Sequence, residues 1–531
     1  MIRKLKIQHI WLSAMFLLVS AIPGVGWTET VNYELTIAQK KVTISGTTAE
    51  GMTLNGSIPG PTLRFKEGDT ARIQVHNRMS VATSIHWHGL LVPPNMDGVP
   101  YVSFPPIQPG ATFTYEFPIR QSGTYWYHSH SNLQEQSGVY GSIVIEPQHG
   151  DRRADSDHVI LLSDWTTEDP HSVLRSLKRG SEWYALDKGS SQSILGAAIV
   201  GKLGDYFVRE LQRMPAMDIA DVAYDYFLAN GQPETNIKAT GGETVRLRII
   251  NGSATTYFHL EYAGGPMKII AADGLDVQPI AQQRFLISVA ETYDVLVKIP
   301  QNGAYEFRAT AQDASGYASV WLGGGQRYPA PDIPQPNLYQ NVSRGNQAPI
   351  WALTPNGTMG MPDDKIVSGK FDQPGMMGMQ GMSMTQGLDD TASSVSMSMP
   401  SKKEPAPDRH EMAGAIMNKT PEMDTMKKTG HGTPDMPSAQ HQKRKGKKYA
   451  KDFRFLAADV SSRKDLAADG MDPRRPWAPY AKLRALEPTS FETDKPIREI
   501  RLTLDGDMER YVWFLNNKAL SESDVIRIRA G

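Results

Sequence analysis

Two short motifs hold the residues best placed to do chemistry. Ser84-Ile-His86-Trp-His88-Gly89 and Gly123-Thr-Tyr125-Trp-Tyr-His128-Ser-His130 each set two histidines two positions apart. On an extended strand such residues project to one face, so each motif presents two imidazoles side by side. Neutral imidazole suits copper well and also accepts zinc, and no carboxylate or thiolate accompanies these four. A single His-x-His pair is weak evidence of function. Two pairs within 45 residues, each framed by glycine and aromatic residues, point to a metal site.

A second set of donors is sulfur. Met359, Met361, Met376, Met377, Met379, Met382, Met384, Met397 and Met399 are closely spaced, and Met412, Met417, Met423, Met426 and Met436 follow with His410, His431 and His441 among them. Thioether sulfur is soft and selects Cu(I). Methionine also fills cores, but here its neighbours are Gly, Ser, Pro and charged residues, with no apolar stripe to bury. The tract reads as a Cu(I)-capturing segment and tips the choice for the histidines from zinc to copper. The run Lys443-Arg-Lys-Gly-Lys-Lys448 reads as solvated linker.

The elements that must position the histidines are strands. Thr62-Leu-Arg-Phe-Lys-Glu67, Ala71-Arg-Ile-Gln-Val-His76 and Thr244-Val-Arg-Leu-Arg-Ile-Ile250 alternate apolar and polar residues between Gly, Pro and Asn turns, the pattern of β-sandwiches. The chain also repeats itself. Leu54-Asn-Gly56, followed by Leu63 to Gly68 and Thr70 to Asn77, is matched by Leu228-Ala-Asn-Gly231, Ile237 to Gly242 and Thr244 to Asn251. A third copy starts at Phe514-Leu-Asn-Asn517 and reaches Ile526-Arg-Ile-Arg-Ala-Gly531. It stops at the glycine equivalent to Gly68 and Gly242, so the third domain is expected to be incomplete. Ser172 to Lys188 is expected to form a short helix with Val173, Leu174 and Leu177 on one face, and His259 in the second copy has no second histidine two positions away, so it is expected to be a surface or core residue.

Composition sets the bounds. The 531 residues suggest three domains. A formal net charge of −1 argues against bulk attraction to nucleic acid. With no Cys there is no disulfide, no thiolate zinc site, and no blue-copper centre, which needs a thiolate between two histidines. Arg3, Lys4 and Lys6 precede an apolar run from Ile10 to Val19, the layout of a cleaved export signal too short to span a bilayer. A soluble protein outside the cytoplasm, with no stable membrane span, is expected.

Asn55-Gly-Ser-Ile-Pro-Gly-Pro-Thr62, His86-Trp-His-Gly89, Asp97-Gly98 and Gly123 to His130 together resemble domain one of multicopper oxidases. Gln134-Glu-Gln-Ser-Gly-Val-Tyr-Gly141 and the later Met-Gly-Met tract resemble the bacterial copper-resistance protein A branch. The resemblance implies an all-β fold of tandem cupredoxin-like Greek-key sandwiches. It divides the chain into a signal peptide (1–28), domain one (29–150), domain two (151–335), a disordered Met-rich linker (336–455) and the start of domain three (456–531). It makes His86 a type 2 copper ligand and His88, His128 and His130 ligands of the type 3 pair. Asp97 matches an acidic residue that assists proton delivery, although an Asp before Gly98 is also an ordinary turn residue.

What the resemblance implies in function is a periplasmic oxidase. Cu(I) or a phenolic substrate gives electrons to a type 1 copper, and dioxygen is reduced to water at a trinuclear cluster. Partners would be copper ions, dioxygen and periplasmic copper-handling proteins. The family's remaining cluster ligands and its type 1 Cys lie in the last domain and have no counterpart here, so impaired activity is expected. The family's twin-arginine signal is also missing, which suggests unfolded export. The alternative is a non-enzymatic protein that sequesters copper.

Overall fold

The structure, a computed structural model, describes residues 29–150, 153–179, 183–188, 193–199 and 220–333, with short pieces between 201 and 207 and between 482 and 528. The leader, every methionine from Met359 to Met436 and the Lys443–Lys448 run lie outside the described residues.

The first sandwich contains β1 (Thr30–Ile44), β2 (Thr47–Leu54), β3 (Leu63–Lys66), β4 (Thr70–Asn77), β5 (His86–His88), β6 (Thr112–Pro118), β7 (Gly123–His128) and β8 (Tyr140–Glu146). One sheet runs β2-β1-β4-β6 and the other β3-β8-β7-β5. Alternation decides the facing: on β4, Ala71, Ile73 and Val75 are buried while Arg72 points outward. They meet Leu63, Phe65, Trp87, Tyr125, Tyr127, Ile143 and Ile145 from the opposite sheet in one core.

The second sandwich is larger. It contains β9 (Ser156–Trp165), β10 (Tyr226–Ala229), β11 (Glu234–Ile237), β12 (Thr244–Asn251), β13 (Phe258–Tyr262), β14 (Met267–Ala272), β15 (Leu275–Gln282), β16 (Arg284–Ile287), β17 (Thr292–Lys298), β18 (Ala304–Ala311), β19 (Tyr317–Gly323) and β20 (Arg327–Tyr328). Its sheets run β10-β9-β12-β17-β14-β15 and β11-β19-β18-β13-β16, with β20 beside β18. Both are two-sheet, all-β sandwiches, as expected.

Between β9 and β10 the described residues include α1 (Pro170–Lys178), α2 (Trp183–Lys188) and α3 (Ile194–Ile199), with further helical residues at 203–204 and 206–207. The single helix expected over 172–188 is thus two. The Asp169 side chain accepts from Ser172 N at 2.9 Å and Pro170 fills the first turn, so helix starts earlier than apolar spacing indicates. Val173 and Leu177 pack on the second core as their spacing suggests.

The internal repeat is also a repeat of backbone geometry. Asn55, Asn230 and Asn516 have φ of 53°, 52° and 51°. Each lies in a turn closed by the same kind of bridge, Leu54 with Ser57, Ala229 with Gln232 and Leu515 with Lys518. Asparagine tolerates this left-handed conformation better than most residues. The third turn follows a hairpin of β21 (Leu504–Asp507) and β22 (Val512–Leu515).

The sandwiches are joined through β7. Thr124 Oγ1 donates to Asp294 Oδ1 at 2.6 Å and accepts from Arg248 Nη1 at 3.0 Å, while Thr292 Oγ1 donates to the Thr124 carbonyl at 3.0 Å. Arg246 reaches Asp294 at 2.5 Å and Arg248 reaches Asp157 at 2.8 Å. The polar face of β12 is therefore buried against the first sandwich, and its arginines are neutralised by carboxylates.

Candidate metal centre

Strands β5 and β7 pair antiparallel, with His86 opposite His128, Trp87 opposite Tyr127 and His88 opposite Trp126. Because faces alternate, Trp87 and Tyr127 enter the core while His86, His88, Trp126 and His128 share the outer face. His130 lies two residues beyond His128, just past the end of β7. The ring centroid of His86 is 5.7 Å from His88, 5.5 Å from His128 and 4.6 Å from His130. All four predicted ligands are thus brought onto one patch. One ligand nitrogen each from His86, His88 and His128 lies within 4.8 Å of the other two.

The second ring nitrogens decide which atoms face the patch. His86 donates Nδ1–H to the Asp97 carbonyl at 2.7 Å, and the Asp97 carboxylate lies 3.4 Å from the same nitrogen. His128 Nδ1 is 2.9 Å from Glu135 Oε2 and 3.2 Å from the Ser129 carbonyl, both acceptors. Carbonyl and carboxylate oxygens only accept, so Nδ1 carries the proton in both rings and Nε2 keeps its lone pair. His88 Nδ1 lies 3.2 Å from His128 Nε2. Two imidazole nitrogens bound tetrahedrally to one ion at ~2.0–2.1 Å stand roughly 3.3 Å apart. The residues therefore fit a first-row metal ion, and an all-imidazole donor set suits copper.

Electrostatics keep the rings in their ligating form. Burial, reinforced by the neighbouring imidazoles, pushes His88 down to about 4, and partial burial of the His130 ring against His128 and His86, at the solvent-facing rim, does the same there. Burial also lowers His86, opposed by its hydrogen bond to Asp97. Neutral imidazole is what a metal needs.

The supporting shell is built from nearby turns. Asp97 ends the 3₁₀ turn Pro94–Met96, and Gly98 follows at φ 77°. A Cβ on Gly98 would meet the Ile85 carbonyl oxygen at 1.8 Å, so only glycine lets this turn press against β5 and bring Asp97 to His86. Buried Gln134 accepts from Thr83 Oγ1 at 2.7 Å and Ser129 Oγ at 2.9 Å and donates to the Ala82 carbonyl at 2.7 Å. That ties together the loops leading into and out of the two motifs. Ser84 Oγ accepts from His130 N at 3.1 Å.

Asp97 lies beside His86, with its carbonyl and carboxylate on the Nδ1 side of the ring. Glu135, Gln134 and Trp126 carry supporting roles that motif reading did not assign, although Gln134-Glu135 stands in the stretch following the second pair. His259 is buried on β13 of the second sandwich and is not part of this group. Among the described residues no helix is long and apolar enough to cross a membrane.

A β-sandwich that brings two His-x-His pairs onto one patch, with His86 and His128 braced from behind, has the donor set of an imidazole metal-binding protein. Residues 36–150 and 156–323 match two family models, both described as multicopper oxidase. The chain is 45% identical over 309 residues to copper resistance protein A of Escherichia coli, covering 56% of this chain and 51% of that protein. It is 43% identical over 311 residues to copper resistance protein A of Pseudomonas syringae pv. tomato, with 56% and 51% covered. A copper resistance protein A homolog from that pathovar is 34% identical over 530 residues, covering 96% of this chain and 79% of that protein. The chain belongs to the multicopper oxidase family, in its copper-resistance group. It spans about half the length of the first two relatives.

Proposed function

We propose that this chain supplies an imidazole copper site to an exported copper-resistance oxidase, which oxidises Cu(I) or phenolic compounds and reduces dioxygen to water. The observation that carries this is the convergence of His86, His88 and His128, with His130 at the rim, on a patch whose nitrogen spacing suits one ion or several. By family resemblance His86 is assigned to type 2 copper and His88, His128 and His130 to the type 3 pair. Copper bound there would supply one-electron redox chemistry toward dioxygen.

The chain's own residues bind, orient and handle protons. Asp97 and Glu135 hold Nδ1–H of His86 and His128 and so present Nε2 of each. Asp97 also has its carboxylate partly open to solvent, 3.4 Å from His86. The role proposed for it, by family resemblance, is to assist proton delivery from behind His86. Trp126 covers the His88 and His128 rings and excludes water from that side. These 531 residues contain no Cys, so they offer no thiolate for a type 1 centre. The methionines from Met359 to Met399 are proposed to gather Cu(I), in the periplasm.

Metal-free protein loaded with copper tests this. Full-length protein should bind copper that is lost in His86→Ala/His128→Ala, and should consume dioxygen when given Cu(I) if the electron-entry site is supplied. Binding unchanged in that variant, even with residues 340–451 deleted, overturns the site. Tight binding with no dioxygen uptake in the supplemented system favours sequestration.

A further inference from the structure

A cleft of about 820 Å³ lies between the histidine loop of the first sandwich and the start of α1 in the second. Among the described residues its wall contains the acidic Glu50, Glu168 and Asp169 together with Met52, His171 and His130, and neither Lys nor Arg. His130 is exposed, whereas the His86 and His128 side chains, whose ring centroids lie 4.6 and 5.0 Å from it, are only 17% and 7% exposed. His130 is thus where the cleft meets the imidazole cluster. The inner carboxylates are fixed in place: Glu168 accepts from Tyr184 Oη at 2.8 Å, and Asp169 caps α1. Glu50 is exposed.

A cleft lined by one sign of charge concentrates the opposite ion and speeds its capture by ten-fold or more. Hard carboxylates attract a cation without holding a soft one tightly, and thioether and imidazole offer progressively better copper donors. We propose that this cleft is the entry route of a copper cation to the cluster. Glu50 and Glu168 draw the ion in, Met52 and His171 offer passing contacts, and His130 receives it first. The proposal rests on the cluster holding copper and adds how the ion arrives. It concerns the rate of loading and leaves the final site unchanged.

The test is stopped-flow mixing of metal-free full-length protein with Cu(II) sulfate at low ionic strength, followed by quenching of tryptophan emission. Trp126, stacked on two of the rings, is a built-in reporter. The variants are Glu50→Gln/Glu168→Gln and, separately, Gln39→Lys, which adds a positive charge at an exposed position on the cleft wall. Glu34→Gln/Glu116→Gln removes two surface charges elsewhere in the first sandwich as a control. Both cleft variants should load about ten-fold more slowly than wild type and control, with the same copper content at saturation. The difference should vanish near 1 M salt, where screening shortens to ~3 Å. Cleft variants that load at the wild-type rate, while His86→Ala/His128→Ala abolishes the quench, overturn the route and leave the cluster standing. A quench that survives in the double-histidine variant overturns the copper cluster, and the route with it.

Discussion

The indole of Trp126 lies nearly parallel to the imidazole of His128, with centroids 4.2 Å apart and planes 15° from parallel, and also stacks on His88 at 5.0 Å. The same side chain packs with Leu161 and Ile250 of the second sandwich. One residue therefore backs the metal patch and fills the domain junction. Trp126→Ala should cost about 3–5 kcal/mol, as large-to-small changes in cores do. Urea unfolding of the metal-free protein measures this. Trp126→Phe, which keeps an aromatic face, should lose much less. A Trp126→Ala protein as stable as wild type would mean that the indole does not carry the junction.

Glu135 makes the closest carboxylate contact to any of the four imidazoles, 2.9 Å from His128 Nδ1. Partners of this kind fix the tautomer of a ligating histidine, and their loss costs about 10–100-fold in metal affinity. Glu135→Ala should weaken copper binding by that factor in competition with a chelator. Glu135→Gln retains an acceptor oxygen and should fall between the two. Equal affinity in all three proteins would remove Glu135 from the site.

The sequence reveals some of this and hides the rest for physical reasons. A two-residue histidine spacing means a shared face on any strand, so both pairs are legible at once. That the pairs face each other depends on β5 and β7 being neighbours, which local spacing cannot tell and family resemblance can. Glu135 is hidden because it sits in a turn, where no period aims side chains. Arg246 and Arg248 look like the solvent face of an alternating strand. They are buried because a second sandwich covers them, and nothing local in Thr244–Asn251 announces that. The helix over 170–178 is misjudged at its start because the cap, Asp169, precedes the apolar pattern.

Depressed histidines make the metal-free protein acid-sensitive. An unfolded histidine takes up its proton near pH 6.5, whereas His88 and His130 hold out to about 4 in the fold. As pH falls below 6.5 the unfolded state binds protons that the native state refuses. The stability these rings contribute is thus complete above 6.5 and drains away toward 4. Urea midpoints between pH 6.5 and 5, above most carboxylate titration, should decline in wild type and decline less in His88→Gln/His130→Gln. Parallel slopes would show that these rings titrate normally.

The junction between the sandwiches turns on Asp294, which is 1% exposed and accepts from both Thr124 and Arg246, with Arg248 3.5 Å away. Removing one partner of a buried ion pair leaves an uncompensated charge, at a cost of about 3–5 kcal/mol. Asp294→Ala takes the nearest carboxylate from Arg246, leaving Asp157 at 3.8 Å, and should approach this loss. Thr124→Val removes one hydroxyl from the same network and should cost about 1–3 kcal/mol. Because both changes break the Thr124–Asp294 contact, the double variant should lose less than the sum of the two. Additive losses in urea unfolding would mean that the hydroxyl and the carboxylate act independently.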